Sequence, residues 1–269
     1  MLRLGIVGLG FVGKAVSAAF DTDTVQQFVI DPAINNNTLT DLAEFNPHFT
    51  FVCVPTPAAA DHTVDVSIVE TVLEQFEDAG CSGTVVLKST ITPDHLVRLS
   101  KRHWFPLVYN PEFLREAHAV ADFVDPAMQI LGGRWHDCVA VEQAYNAHSR
   151  VKVVPTYKTD LITASLLKYT VNSWLATKVV FMNQIHQLHA ASGAHSTWEQ
   201  FTDMLQRDSR VGHSHLQVPG PDGSLGFGGH CFPKDTAALV EYAQKTGAPQ
   251  DLVCAARKIN NMLRNPDPE

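Results

Sequence analysis

The chain has 269 residues, 45% hydrophobic and 18% charged, and its 28 acidic against 20 basic side chains leave a formal charge of −8. That length buries one large or two modest cores, and the acidic balance excludes a nucleic-acid surface. No apolar run is long enough to span a bilayer and no signal peptide precedes the first strand, so a cytoplasmic protein without a membrane partner is expected.

In chain order, residues 2–7 read as a short buried strand. Gly8-Leu9-Gly10-Phe11-Val12-Gly13 follows at once, and residues 14–20 continue as a helix. A GxGxxG placed between strand and helix fits a dinucleotide turn, because its glycines permit a tight bend and the close approach of a pyrophosphate. A second strand at 26–30 ends at Asp31, 18 residues past Gly13. An acid there suits the ribose of NAD and repels the 2′-phosphate of NADP. The plainer role for Asp31 is a turn residue ahead of Pro32.

Residues 50–54 form an apolar strand, 66–77 carry a helical pattern, 84–87 form a strand, 93–101 a helix and 106–109 a strand. Two more strands, 127–131 and 151–154, flank a helix at 134–147. Such alternation predicts a parallel, doubly wound Rossmann-type sheet with right-handed crossovers and a ligand crevice at the carboxyl ends of its strands. After Pro155 the texture changes. Residues 160–191 contain no Pro or Gly and repeat apolar side chains at helical spacing, which predicts one helix roughly 45 Å long. Shorter helices are expected at 195–206, 235–246 and 250–263, and the tail 265–269 reads as frayed. The expected α/β architecture is therefore an NAD-binding domain at 1–157 and a smaller all-helical domain at 158–269. A long apolar helix of this kind packs against a twin, so a homodimer through it is expected. The alternative is a monomer that folds the helix onto its own sheet.

The segment Gly226-Phe227-Gly228-Gly229-His230-Cys231-Phe232-Pro233-Lys234-Asp235 puts a cysteine in a glycine-rich loop just ahead of a helix start. The helix dipole and Lys234 favour thiolate, the nucleophilic form. Read alone, the segment fits equally a glycine turn with an incidental buried cysteine. Further segments fall where the crevice should be: Val52-Cys53-Val54-Pro55-Thr56-Pro57, Lys88-Ser89-Thr90, Asn110-Pro111-Glu112-Phe113-Leu114-Arg115-Glu116, and Lys168-Tyr169-Thr170-Val171-Asn172 with Leu175-Ala176-Thr177-Lys178 and Phe181-Met182-Asn183 after it. Lys168 and Asn172, four apart, share a helical face. In isolation Lys168 reads as a surface lysine, and Glu112 and Glu116 as helix-start acids. Five cysteines without a CxxC pair fit a reduced compartment, and the His213-Ser214-His215 group lacks further ligands at metal spacing, so no metal is expected.

With the Cys231 loop, this set resembles the nucleotide-sugar 6-dehydrogenases of the UDP-glucose/GDP-mannose dehydrogenase family. The resemblance runs from Leu2 to about Asn261, with GxGxVG, CVPTP, KST, NPEFLRE, KYxxN with LATK, and GFGGxCxPKD in the family's order. It implies oxidation of the C6 hydroxyl of a nucleotide-bound hexose, UDP-glucose favoured, to a carboxylate, with two NAD consumed per turnover. By the same resemblance Cys231 is the nucleophile that converts the aldehyde into a thiohemiacetal and then a thioester. Lys168 stabilises the oxyanion with Asn172 beside it, Asp235 and Thr90 hold a water, and Glu112, with Glu116, activates the hydrolytic water. NAD contacts fall to Gly8, Gly10, Phe11, Val12, Gly13, Asp31, Val54, Pro55, Thr56, Thr90, Glu116 and Lys234. Those to the sugar nucleotide fall to Phe113, Leu114, Arg115, Glu116, Lys168, Asn172, Arg210, Gly228 and Cys231.

Two features depart from the family. Its members continue into a second Rossmann-like domain at about the point where this sequence reaches Glu269, so a more open site, or a separate chain supplying that domain, is expected. The loop at 218–225 also looks longer than the family's, and an expected role for it is to cover ground that domain would occupy. Two other readings stand beside the first. One is a two-electron β-hydroxyacid dehydrogenase, which shares the Lys-x-x-x-Asn pair and needs no cysteine. The other is a non-catalytic, NAD-binding dimeric scaffold.

Overall fold

The computed structural model describes residues 1–59 and 63–265. Its strands and helices alternate as β1 (Leu2–Val7), α1 (Phe11–Ala19), β2 (Val25–Ile30), α2 (Leu39–Phe45), β3 (Phe49–Val52), α3 (Ser67–Asp78), β4 (Thr84–Leu87), α4 (Pro93–Arg102), β5 (Leu107–Tyr109), α5 (Ala119–Val124), β6 (Gln129–Gly132), α6 (Trp135–His148) and β7 (Thr156–Thr159). The strands make one sheet in the order β2-β1-β3-β4-β5-β6-β7. β1 pairs in parallel with β2 on one side and β3 on the other. It therefore marks the point where successive connections change direction, the usual place for a ligand in such sheets. Helices on both faces bury the inner strands, and all four residues of β4 are buried. Leu4, Ile6, Phe51, Val86 and Val108 pack with Phe20 and Tyr145, whose ring centres are 5.2 Å apart. Each such side chain contributes about 2 kcal/mol on burial.

The sheet departs from the expected pattern at two places. β1 to β5 are mutually parallel, but β6 runs antiparallel to β5 through Tyr109 and Gly132, and β7 is parallel to β6. The seventh strand also follows Pro155 rather than preceding it. Pro155 has no N–H to give the ladder; its carbonyl accepts from the Gln129 amide at 3.0 Å, and the register begins with Gln129 opposite Thr156.

The long helix α7 (Leu161–Ala191) has 31 residues. It starts at Asp160, whose carboxylate accepts from the Thr163 amide at 2.9 Å and the Thr163 hydroxyl at 2.7 Å. By contacts the chain divides inside this helix, between Lys168 and Tyr169. The first turns of α7 stay with the sheet for a steric reason. A Cβ on Gly132 would lie 2.6 Å from the Ala164 methyl, and the Ser165 hydroxyl donates to the Ile91 carbonyl at 2.7 Å. Lys168 thereby belongs to the sheet unit rather than to a helical domain starting at 158.

The second unit holds the rest of α7 with α8 (Trp198–Leu205), α9 (Phe232–Lys245) and α10 (Asp251–Arg264). Ala176, Val180, Phe227 and Ala256 form one apolar cluster, and Met182, Trp198, Leu216 and Val218 another. Of the tail expected to fray, residues 266–269 lie outside the described residues. Among the described residues no helix is long and apolar enough to cross a membrane.

Candidate active site

Each glycine of the first turn is needed for a different reason. Gly8 has φ +89°, and a Cβ there would touch the Cys53 backbone at 3.0 Å. A Cβ on Gly13 would stand 2.0 Å from the Gly8 carbonyl oxygen, so only glycine lets α1 fold back this tightly. Gly10 has open space within 4 Å. It precedes a helix that has no side-chain cap and no acid in its first turn. Bare amides and vacant space at a helix N-terminus suit a pyrophosphate. Phe11 and Val12 are half-buried in that first turn. Asp31, at the end of β2, accepts from the Leu9 amide at 2.6 Å and the Ala33 amide at 2.9 Å, which ties this acid to the turn itself.

The next two strand ends are stitched together. The Ser89 hydroxyl donates to the Val54 carbonyl at 2.6 Å, and the Thr56 hydroxyl donates to the Thr90 carbonyl at 3.0 Å. With Pro55 between them, Val54 and Thr56 are fixed against the KST segment. Below lies a network of buried polar groups. Lys88 donates to Asn110 Oδ1 at 3.0 Å, the Tyr145 hydroxyl donates to the same oxygen at 2.8 Å, and Asn110 Nδ2 donates to the Ile130 carbonyl at 2.8 Å. Burial pulls the Lys88 ammonium down to about 8, opposed by Cys53 and Glu112. Burial pushes the Cys53 thiol up to about 12, with Lys88 opposing.

Asn110 leads through Pro111 to Glu112, which is buried. Lys168 of α7 donates to the Glu112 backbone carbonyl at 2.5 Å and to its Oε1 at 3.1 Å, and its ammonium sits 5.3 Å from the Phe113 ring centre. The Leu114 amide donates to Glu112 Oε2 at 2.7 Å. Burial alone would raise this carboxyl, but Lys168, the Leu114 amide and Lys88 outweigh it and hold Glu112 below its ordinary value. It is therefore held as a carboxylate. The rest of the segment faces outward. Arg115 is exposed and makes a two-pronged pair with Asp122, and Glu116 is exposed in a short 3₁₀ turn.

In the second unit, Cys231 is the residue immediately before α9, at its N-cap, with Pro233 in the first turn. Its carbonyl accepts from the Asp235 amide at 2.8 Å. Asp235 is only 1% exposed. Asn172 Nδ2 donates to one of its oxygens at 2.6 Å, and Lys234 donates to the other at 2.7 Å. A buried carboxylate satisfied on both oxygens holds its geometry firmly. Lys178 is buried and donates to the carbonyls of Val211 and Ser214 at 2.9 and 2.6 Å, which fastens the loop after α8 to α7. Arg210, in that loop, is turned onto Asp208, and its side chain is 88% exposed.

The structure thus brings Glu112, Phe113 and Leu114 together with Lys168, and Asn172 together with Lys234, Asp235 and the carbonyl of Cys231. Lys168 and Asn172 are four residues apart in the same helix. Among the described residues Arg115 is bonded to Asp122 and Arg210 to Asp208, and Glu116 is exposed, so these three stand outside both clusters. Lys88 and Asn110 stood within the quoted motifs without a role, and Tyr145 stood outside them; only the fold reveals that the three share one buried network. Among the described residues no group of three or more His, Cys, Asp or Glu side chains could hold a metal ion, and no disulfide joins the five cysteines.

Comparison with known proteins identifies the family. Residues 35–149 match the NAD binding domain, and residues 162–262 the central domain, of the UDP-glucose/GDP-mannose dehydrogenase family. The chain is 30% identical over 251 residues to the UDP-glucose 6-dehydrogenase TuaD of Bacillus subtilis, covering 90% of this chain and 52% of that protein. It is 29% identical over 313 residues to the UDP-glucose 6-dehydrogenase AglM of Haloferax volcanii, covering 97% of this chain and 70% of that one. A UDP-glucose dehydrogenase structure from Pyrobaculum islandicum superimposes with a TM-score of 0.83 at 25% identity, over 97% of this chain and 68% of that one. The chain spans about half the length of the Bacillus relative.

Proposed function

The chain belongs to the UDP-glucose/GDP-mannose dehydrogenase family, and from that premise we propose that it carries out the NAD-dependent, four-electron oxidation of a nucleotide-sugar C6 hydroxyl, with UDP-glucose as the substrate, to a carboxylate. The observation that carries the proposal is Cys231 at the first turn of α9, one turn from a buried Asp235 that Asn172 and Lys234 hold on both oxygens.

NAD, when bound, accepts the hydride in each of the two oxidations. Gly8, Gly10 and Gly13 with the bare start of α1 receive its pyrophosphate, Asp31 its ribose, and the segment from Val54 to Thr56 with Thr90 lies along the adjoining strand ends. Lys168 stabilises the alkoxide as the first C–H bond breaks, and Asn172 adds a neutral donor. The Cys231 thiolate then adds to the aldehyde carbon, and the thiohemiacetal still carries one C–H bond to give up. Loss of that hydride leaves a thioester, which water cleaves to carboxylate and thiol with Glu112 accepting the proton. The balance is one alcohol, two NAD⁺ and one water giving one carboxylate, two NADH and three protons. Glu112 is ionised and stands beside Lys168, so it has an oxygen with which to orient the water, although the same pairing lowers its basicity.

The proposal includes a homodimer through α7. Trp174, Phe181 and Leu188 follow one another at seven-residue spacing and are 61%, 57% and 63% exposed, with Leu167 a further seven residues before them. A row of this kind matches the seam of two packed helices, and a second copy of the chain is the proposed cover.

The deciding experiment incubates the purified chain with NAD and UDP-glucose, and in parallel with UDP-N-acetylmannosamine, UDP-N-acetylglucosamine and GDP-mannose, and counts NADH formed per sugar consumed. Two NADH with UDP-glucose, lost in Cys231→Ala, is the expected result. One NADH per substrate identifies two-electron chemistry instead, and NAD binding without turnover on any sugar overturns the assignment for this chain alone.

A further inference from the structure

The glycine loop ahead of Cys231 is held by side chains to which the proposed chemistry gives no part. Asn183 of α7 accepts the Gly226 amide proton at 3.1 Å, and Asn260 of α10 accepts that of Phe227 at 2.6 Å. One turn on from Asn260, Arg264 donates to the Gly226 carbonyl at 3.4 Å through Nη2 and to Asp222 at 2.7 Å through Nη1. Asn260 and Arg264 are four residues apart and share a face of α10. Phe227 and Asn260 are both buried, so water does not replace the bond between them. The turn at 220–224 closes on itself, with the Gly220 amide donating to the Ser224 carbonyl at 2.9 Å, and Asp222 ties it to the same arginine.

Gly228 shows how closely the arginine sits. Its φ lies outside the left-handed region that Gly226 and Gly229 occupy, so the turn does not demand a glycine there. A Cβ at Gly228 would nevertheless stand 2.5 Å from Nη2 and 2.8 Å from Cζ of Arg264. The guanidinium fills the space a side chain would take. Gly226, Gly228 and Gly229 together also lose more conformational freedom on ordering than any other residues would. A segment so rich in glycine does not hold one conformation unaided.

We propose that Asn260 and Arg264 form a clamp on residues 226–228 that fixes where Cys231 stands, which makes them positioning residues for the thiol. The clamp acts through the loop on one side of Cys231, while the Asp235 amide bond fixes the helix side.

The test is the rate at which iodoacetamide alkylates Cys231 in the full chain, read by mass spectrometry of its peptide, with Cys254 of the same unit as the internal control. Asn260→Leu keeps the bulk but leaves the Phe227 amide without an acceptor; at the usual size of that penalty the loop opens, and Cys231 reacts, about tenfold more often. Asn260→Asp retains an acceptor oxygen and should stay within about twofold of the parent. Gly228→Ala pushes the flexible guanidinium aside and should accelerate Cys231 as Arg264→Ala does. In the Arg264→Ala background it should add nothing, because the two changes remove one interaction. Unchanged Cys231 rates overturn the clamp, as does an equal rise at Cys254, which reports unfolding of the unit. If Asn260→Leu does not fold, the Gly228 and Arg264 cycle decides alone, additive effects counting against the clamp. One further arm rests on the dehydrogenase reading: with Asn260→Leu the NADH formed per sugar should fall below two while the KM for NAD holds. Should the parent chain oxidise no sugar, that reading fails and the alkylation rates still decide the clamp.

Discussion

Two glycine-rich turns each lead into a helix, and they are held in opposite ways. The turn into α1 is closed by its own backbone, with Gly8 against Cys53 and Gly13 against the Gly8 carbonyl. The loop into α9 is held from outside, by Asn183, Asn260 and Arg264. The helix starts differ as well. α1 begins with uncapped amides and open space at Gly10, whereas the first turn of α9 already carries Asp235, satisfied by Asn172 and Lys234. A bare helix start attracts an anion from solution. A filled one has its charges settled within the protein and is free to present a side chain, here Cys231. The same local device therefore suits binding in one unit and, as proposed, placement of a thiol in the other, and what differs is where the restraint comes from.

The sharpest way to break the comparison is Gly13→Ala. Its Cβ meets backbone, which cannot swing aside. The expected cost is about 3 kcal/mol or more, with loss of NAD binding in calorimetric titration. Gly10→Ala meets nothing within 4 Å, so its melting temperature should match the parent while NAD binds more weakly. Equal melting temperatures for Gly13→Ala and the parent would show that the first turn is not closed by its backbone.

The sheet unit also buries two groups of opposite charge: folding disfavours the charged form of one and favours that of the other. The sheet unit buries Lys88, whose ammonium is pulled from 10.5 down to about 8 by its surroundings. Between those values the unfolded chain binds the extra proton at this site, so the Lys88 contribution to folding stability should rise with pH across that window, by up to about 3 kcal/mol, while the buried Cys53 thiol contributes in the opposite direction above its ordinary value. Lys88→Met should remove the rise. Glu112 is the group whose charged form is favoured, because its folded value is depressed. Its contribution is complete above the ordinary carboxylate value and is lost as pH falls through the lower, folded one. Urea unfolding of the parent and of Lys88→Met at stepped pH reads both, and identical alkaline limbs in the two proteins would refute the buried-cation account.

Both turns were legible in the sequence because each is written in consecutive residues, and α7 because 31 residues of helical pattern leave little room for another reading. What escaped were short or distant features. α2 and α5, with 7 and 6 residues, are too short for a helical period to show. Strand direction leaves no mark in the four residues of β6, so its reversal against β5 was not anticipated. The valine-rich segment at 151–154 imitated a strand, but the ladder waits for the amides beyond Pro155. Lys88, Asn110 and Tyr145 meet across 22 and 35 residues, a distance at which motif spacing carries no information. Arg115 and Arg210 found carboxylates close by in sequence, Asp122 and Asp208, that compete for the guanidinium groups.

A smaller effect is expected at Asp31, whose side chain restrains the turn and is proposed to set its cofactor preference. Its carboxylate accepts the Leu9 amide at 2.6 Å, and Asn in its place keeps an oxygen for that bond but loses the charge. Asp31→Asn should therefore melt near the parent temperature, while its preference for NAD over NADP falls about tenfold, one charge-assisted contact's worth. Paired titrations with the two cofactors measure it. A large drop in melting temperature with the preference intact would make Asp31 a part of the turn alone.

The smallest effect comes from two glycines in the second loop whose backbones are nearly alike. Gly229 has φ +74° and nothing within 4 Å of a built Cβ; Gly226 has φ +72° and Asn260 Oδ1 at 2.4 Å. Gly229→Ala should therefore cost only the left-handed backbone penalty, about 1 kcal/mol. Gly226→Ala carries that same penalty and must also displace Asn260, which breaks its bond to Phe227. Subtracting one unfolding free energy from the other removes the conformational part and leaves the restraint supplied by α10. If the two substitutions cost the same, the second loop is held by its backbone after all, and the contrast with the turn into α1 disappears.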